Sequence, residues 1–234
     1  MISSLEDLRD LFEDEADGLA SLHPAGAFRF AAAIVGEAAK AASSEPTEKG
    51  DVLKGTAEAD VIDGLAGGDE ISGRGGDDTL YGGAGADTIQ GGKGDDDLFG
   101  GAKGDTLFGG EGSDDIDGGG GADHLDGGLG DDFIVGGDGK DTIVGGGGND
   151  LVTGGAGKDL FVIEGGAFEV LSIADFIQGE DRIEISGVAG VDSFADIKTE
   201  FGGCGLVVTD EAASFSIILF GYFGALTEAD LLFS

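Results

Sequence analysis

Cysteine is almost missing from this chain. Cys204 is the only one among 234 residues, so no intrachain disulfide can form. Only two prolines occur, against the many a collagen repeat needs, and glycine does not fall at every third residue. Cationic side chains are scarce: 12 Lys and Arg face 48 Asp and Glu, for a formal net charge of -36. That balance excludes nucleic acid, whose phosphates would be repelled, and disfavours anionic membrane surfaces. His23, His124 and Cys204 are the only imidazole and thiol groups, too few for a zinc, copper or iron centre. No window is long and apolar enough for a transmembrane helix, so no stable membrane insertion is expected. The opening MISSLEDLRDLFEDE is acidic and lacks the basic-then-apolar plan of a cleavable signal peptide. Catalytic signatures are also lacking. There is no HExxH and no G-x-S-x-G, so a zinc protease or lipase core is not expected. The nearest approach to an EF-hand, Ser113 to His124, lacks the first and last ligands. The chain therefore reads as a non-enzyme.

Apolar residues are nevertheless plentiful, at 40 % with 15 Phe, which excludes a disordered acidic chain. The 50 glycines follow a rule instead of being scattered as in a flexible linker. Twelve nine-residue units run from Gly55 to Val162 without insertion or deletion. Each opens with Gly. Each carries Asp at its sixth place: Asp60, Asp69, Asp78, Asp87, Asp96, Asp105, Asp114, Asp123, Asp132, Asp141, Asp150 and Asp159. Each has a large apolar residue at its eighth place, from Ile62 to Phe161. The second place is Gly in nine of twelve units, and the fourth in ten, with Glu58 and Lys103 as exceptions. The first three units, GTAEADVID, GLAGGDEIS and GRGGDDTLY, diverge most.

Three regions follow. Residues 1–50 form an N-terminal region with a polar linker (SSEPTEKG) at its end. Ser3 with Glu6 makes a capping box, and Leu5, Leu8, Phe12 and Leu19 recur near helical spacing, so helix is expected there. Residues 51–162 hold the repeat array. Residues 163–234 lose the period and show short apolar runs such as RIEIS, GLVVT and FSIILFGYF between turn residues, so a compact β cap is expected. Cys204 falls there and reads as a small strand residue.

A strict period means one unit stacked on copies of itself. Six Gly-rich residues and then three with a central apolar one describe a tight turn and a very short strand. Glycine permits positive φ and close approach of backbone. One nonad buries a single apolar side chain and cannot be stable alone. Two nonads make one 18-residue coil, so twelve make six coils, each rising about 4.8 Å. Each sixth-place Asp then stands beside the Asp two units away. Like charges about 5 Å apart cost roughly 3 kcal/mol per pair at an effective dielectric near 20. A hard divalent cation between stacked turns reverses that sign. Calcium takes six to eight oxygens and mixes carboxylates with carbonyls readily, whereas magnesium demands near-ideal octahedra. Six coils have five interfaces on each of two sides, so up to about ten Ca2+ ions are expected. They would carry about +20 and bring the formal charge from -36 to about -16.

The pattern GGxGxDxUx, carried by GGAGADTIQ (82–90), GGKGDDDLF (91–99), GGDGKDTIV (136–144) and GGGGNDLVT (145–153), resembles that of RTX (repeats-in-toxin) hemolysin-type calcium-binding proteins. The run IADFIQGEDRIEISGV (173–188) is similar to the segment that follows such repeats in serralysin-type proteins. The resemblance implies a mainly β fold, a right-handed parallel β-roll, with the twelve sixth-place Asp and turn carbonyls as calcium ligands. It implies folding that waits for calcium outside the cell. It also implies export by a type I secretion apparatus reading an uncleaved C-terminal signal, which the ending Asp230-Leu231-Leu232-Phe233-Ser234 is similar to. Glu58 and Lys103 in place of Gly put the sites using turns 55–60 and 100–105 in doubt.

The expected function is thus a secreted, calcium-binding RTX protein that folds on binding several Ca2+ ions. The alternative is a calcium-stabilised adhesin, matrix or host-interaction protein, with a cell-surface or matrix component as partner; a remnant of an exported hydrolase stands behind it. Extra acids at fifth and seventh places (Asp77, Asp95, Asp97, Asp115, Asp131) read as diffuse cation attraction. His124 reads as a surface residue, and Asp175 and Asp181 read either as solvated strand ends or as one further ion site near the cap.

Overall fold

A computed structural model describes residues 46–164, 169–202, 205–210, 215–222 and 224–234. The N-terminal helical expectation and Cys204 lie outside these. The described chain is almost wholly β, with a single 3-10 turn, Phe194–Asp196, among the described residues. Successive nonads alternate between two sheets. The first contains, in spatial order, Val52–Lys54, Glu70–Ser72, Thr88–Lys93, Thr106–Glu111, His124–Leu129, Thr142–Gly147, Leu160–Glu164, Arg182–Ser186 and Leu231–Phe233. The second runs Val61–Asp63, Thr79–Ala84, Asp97–Ala102, Asp115–Gly121, Phe133–Gly139, Asn149–Gly157, Glu169–Ile173 and Phe215–Phe220, all parallel. The antiparallel strands Gly205–Asp210 and Ile197–Phe201 then close it. A strand thus pairs with the strand 18 residues later, as in Ile89 with Leu107 and Leu98 with Ile116. This is the stack of two-nonad coils expected from the period, and the parallel β-roll that the resemblance implies.

The core is one cluster built from two stacks of side chains, one from each sheet. All twelve eighth-place residues, from Ile62 through Phe161, are buried, and each packs on its equivalents above and below. Only the inward face of each strand is covered: the places flanking the eighth are mostly exposed or half-buried, as Val61 and Asp63 are beside Ile62. Most strands are longer than three residues. Thr79–Ala84, for example, runs from the seventh place of one nonad to the third of the next. Pairing persists through the glycines, as Gly83 with Gly101 and Gly92 with Gly110.

The roll also extends beyond the six coils of the twelve nonads. At the N-terminal end, Asp51 and Leu53 sit nine residues before Asp60 and Ile62, and Leu53 pairs with Ile71 in the core. At the other end, Phe161 is followed in the first sheet by Ile183 and then Leu231, and Val152 in the second by Ile173. The stretch expected to be a β cap is β-rich, and most of its strands continue the two parallel ladders.

Candidate metal-binding ladders

The turn-strand period places every sixth-place Asp at the inner corner where a Gly-rich turn enters a strand. All twelve are buried, none more than 3 % exposed. They form two columns, one on each side of the roll. Within a column, each Asp Oδ1 accepts the backbone N–H of the Asp 18 residues earlier. Asp78 Oδ1 takes Asp60 N–H at 2.7 Å, Asp105 takes Asp87 at 2.8 Å, and Asp159 takes Asp141 at 3.0 Å. The column continues past the array, because Asp181 Oδ1 accepts Asp159 N–H at 3.0 Å.

The second oxygen behaves differently. Oδ2 of Asp69, Asp78, Asp87, Asp96, Asp105, Asp114, Asp123, Asp132, Asp141 and Asp150 is buried and has no hydrogen-bond partner. A buried carboxylate oxygen without a partner is costly unless a cation or proton meets it. Each Oδ2 curls over the first-place Gly of its own unit. A Cβ on Gly82 would stand 2.7 Å from Asp87 Oδ2 and 2.7 Å from the carbonyl of Gly100 in the next coil. On Gly118 it would stand 2.8 Å from Asp123 Oδ2 and 2.7 Å from the Gly136 carbonyl. Only Gly leaves room there, and carboxylate and carbonyl oxygens converge in the space it leaves.

Electrostatics reinforce this. Burial raises the Asp78 and Asp114 carboxyls to about 7 and those of Asp96, Asp105, Asp132, Asp150 and Asp159 to about 6. The stacked Asp neighbours push the same way, and the ladder N–H of the preceding Asp opposes them. Asp87, Asp123 and Asp141 are also raised, first by burial. Among the described residues, no three His, Cys, Asp or Glu side chains gather around one point. A cation here would therefore take one or two carboxylates and complete its shell with turn carbonyls. That donor set is all oxygen, which suits calcium.

The fourth-place exceptions separate. Lys103 adopts φ +84, so its turn keeps the left-handed backbone that Gly provides elsewhere. Turn 55–60 is built differently: Thr56 N–H and Thr56 Oγ1 donate to Asp60 Oδ2 at 2.5 and 3.0 Å. Asp175 and Asp181 are engaged by backbone rather than solvated. Asp175 accepts N–H of Gly154 and Gly155 at 2.9 and 2.8 Å, and Asp181 Oδ2 accepts that of Ile177 at 2.8 Å. His124 is exposed and meets Phe108 edge-on. Fifth-place acids do more than attract cations diffusely. Asp77 accepts Asp95 N–H, Asp95 accepts Ser113 N–H, and Asp131 accepts Asn149 N–H and its amide. They form an outer, exposed partial ladder whose only sequence signal is recurrence at 18 residues.

One family model matches the repeat array. The family described as RTX calcium-binding nonapeptide repeat matches in four copies, at residues 47–80, 72–103, 99–134 and 135–167. Together these span more than half of the 234 residues. No curated protein sequence matches the chain. Among solved structures, the extracellular lipase LipA from Serratia marcescens is similar at 15 % identity, over 81 % of this chain and 39 % of that one, with a TM-score of 0.35. The AlgE6R3 subunit of the Azotobacter vinelandii mannuronan C5-epimerase is similar at 19 % identity, over 85 % and 86 %, with a TM-score of 0.27. The chain thus spans well under half of the lipase. Among the described residues, no helix is long and apolar enough to cross a membrane.

Proposed function

The chain belongs to the RTX calcium-binding nonapeptide repeat family, and from that membership we propose a secreted protein whose roll assembles only when calcium is bound. The observation that carries this reading is the run of ten buried, unpartnered Asp Oδ2 atoms, each over a glycine. Bound calcium supplies positive charge and six to eight coordination positions for oxygen. The unpartnered Oδ2 atoms from Asp69 to Asp150 and the turn carbonyls are the groups that hold it. Asp Oδ1 of each unit fixes the neighbouring coil through the ladder N–H, so metal affinity and coil stacking are linked. The eighth-place side chains then close the core. In the cytosol, where calcium is scarce, repulsion along two carboxylate columns keeps the coils apart and the chain exportable. Outside, at about 10⁻⁴–10⁻³ M sites of the kind extracellular modules use, binding energy becomes folding energy.

This reading places the ladder Asp in a structural role and assigns no catalysis to the chain. Type I export and the C-terminal Asp230–Ser234 signal are part of the same proposal; in the fold, Leu231–Phe233 also serves as the outer strand of the first sheet. The test is far-UV circular dichroism of the full chain, titrated with calcium and, separately, magnesium. Calcium should produce a cooperative gain of β signal and magnesium should not. A complete β spectrum in excess EGTA would overturn the proposal.

A further inference from the structure

The carboxylate columns do not end as they run. In the middle units the second place has positive φ, from +72 at Leu65 and +82 at Arg74 to +89 to +123 at the nine glycines. That conformation directs the second-place N–H away from the unit's own Asp, as where Arg74 N–H donates to the Gly91 carbonyl at 2.8 Å. In the first two turns the second place is Thr47 and Thr56, which a β-branched side chain keeps out of positive φ. Both then close on their own Asp. Thr47 N–H and Oγ1 donate to Asp51 Oδ2 at 2.7 and 2.9 Å. Thr56 N–H and Oγ1 donate to Asp60 Oδ2 at 2.5 and 3.0 Å. At the far end Thr227 repeats the device on Asp230 Oδ2, with N–H and Oγ1 both at 2.8 Å and the Gln178 amide at 3.0 Å.

Resting on the calcium reading above, we propose that these threonines stand in for the cation. Turns 46–51 and 55–60 and the loop 227–230 are closed to metal, and they frame the metal-bearing turns with ends that need none. A carboxylate oxygen holding one N–H and one O–H is satisfied without a cation. Asp60 shows the substitution most directly. Its unit keeps the full cradle, since a Cβ on Gly55 would meet Asp60 Oδ2 at 2.7 Å and the Gly73 carbonyl at 2.6 Å. What the Thr56 donors add is a partner for Asp60 Oδ2, in a turn that also carries Glu58 at its fourth place. The second column closes differently at its other end. Leu171 pairs with Asp150 where the next Asp would fall, and its Cδ1 lies 2.8 Å from the Cβ point of Gly145, where other units place a carbonyl. Of the ten unpartnered Oδ2 atoms, Asp150 thus lacks the facing carbonyl, which leaves nine complete positions, Asp69 to Asp141.

The experiment counts calcium per full chain by equilibrium dialysis and elemental analysis, at physiological salt with excess magnesium, with circular dichroism confirming that each variant is folded. The unaltered chain should hold about nine ions. Thr56→Gly should add one, because it frees Asp60 Oδ2 and lets the turn take positive φ. Asp60→Asn should leave the count unchanged, and Asp78→Asn should lower it by one. An unchanged count in Thr56→Gly, or a loss in Asp60→Asn, overturns the proposal while leaving the calcium reading intact. Failure of the unaltered chain to retain any calcium would instead remove the reading beneath it.

Discussion

A single aspartate in this roll uses its two oxygens for different purposes. Oδ1 belongs to the backbone ladder, and Oδ2 lies over a glycine that has no room for a side chain. Gly100→Ala would thrust a Cβ to within 2.7 Å of both Asp105 Oδ2 and the Gly118 carbonyl. We expect this variant to raise the calcium midpoint at least several-fold in a dichroism titration. Gly120→Ala is the control: nothing lies within 4 Å of its Cβ point and its φ is not positive. It should not raise the midpoint, and should stabilise the calcium form by about 0.4–1 kcal/mol, read from thermal unfolding. The period already separated the two, since every unit opens with Gly whereas the third place, where Gly120 stands, also takes Ala, Lys, Glu, Leu and Asp. First-place Gly answers to its own unit's carboxylate and the next coil's carbonyl, whereas third-place Gly120 answers to nothing, and only three-dimensional stacking supplies that reason.

At the level of turns and strands, each coil touches only the coils beside it, so stability should add up from nearest-neighbour contacts. Leu65 holds φ +72 with its side chain 41 % exposed, a conformation an L-residue adopts at a cost of about 1–2 kcal/mol. Leu65→Gly should therefore raise the melting temperature of the calcium-loaded protein, and a fall would contradict the assignment of strain to that turn. Leu107→Ala, at a fully buried central position, should cost about 2–5 kcal/mol. Element order and register were legible because a nine-residue period with one apolar and one acidic position leaves little choice of stacking. The first nonad was harder to see. Asp51 and Leu53 are in phase, yet Pro46 and Thr47 stand where Gly-Gly would have announced the unit. Beyond Phe161, Asp181 and Ile183 carry the ladder forward after a four-residue insertion, which destroys the period while sparing the pairing. The threonine closures were not legible at all, since nothing in spacing alone shows that a second-place hydroxyl turns back on its own Asp.

Across the whole molecule, the carboxylate columns make stability depend on pH with a definite sign. Asp78 and Asp114 titrate at about 7 in the folded chain, and Asp96, Asp105, Asp132, Asp150 and Asp159 at about 6, against 3.8 for the unperturbed group. The folded, metal-free chain therefore binds more protons than the unfolded one between roughly pH 4 and pH 7. Its stability is greatest at the acid end of that window and is lost as pH rises through it. Decalcified protein should show more β structure at pH 5 than at pH 7.5, and saturating calcium should abolish the difference. A decalcified chain more structured at pH 7.5 would contradict the buried-ladder account.

The most direct measurement of that account is small-angle scattering of the full chain at neutral pH, first in EGTA and then in calcium. Chain-length scaling gives a radius of gyration of roughly 50 Å for an unfolded chain of this size and roughly 20 Å for a folded one. Calcium should move the value most of the way from the first toward the second, and magnesium should not. A compact particle in EGTA whose size ignores calcium would show that the stacked carboxylates hold together without a cation.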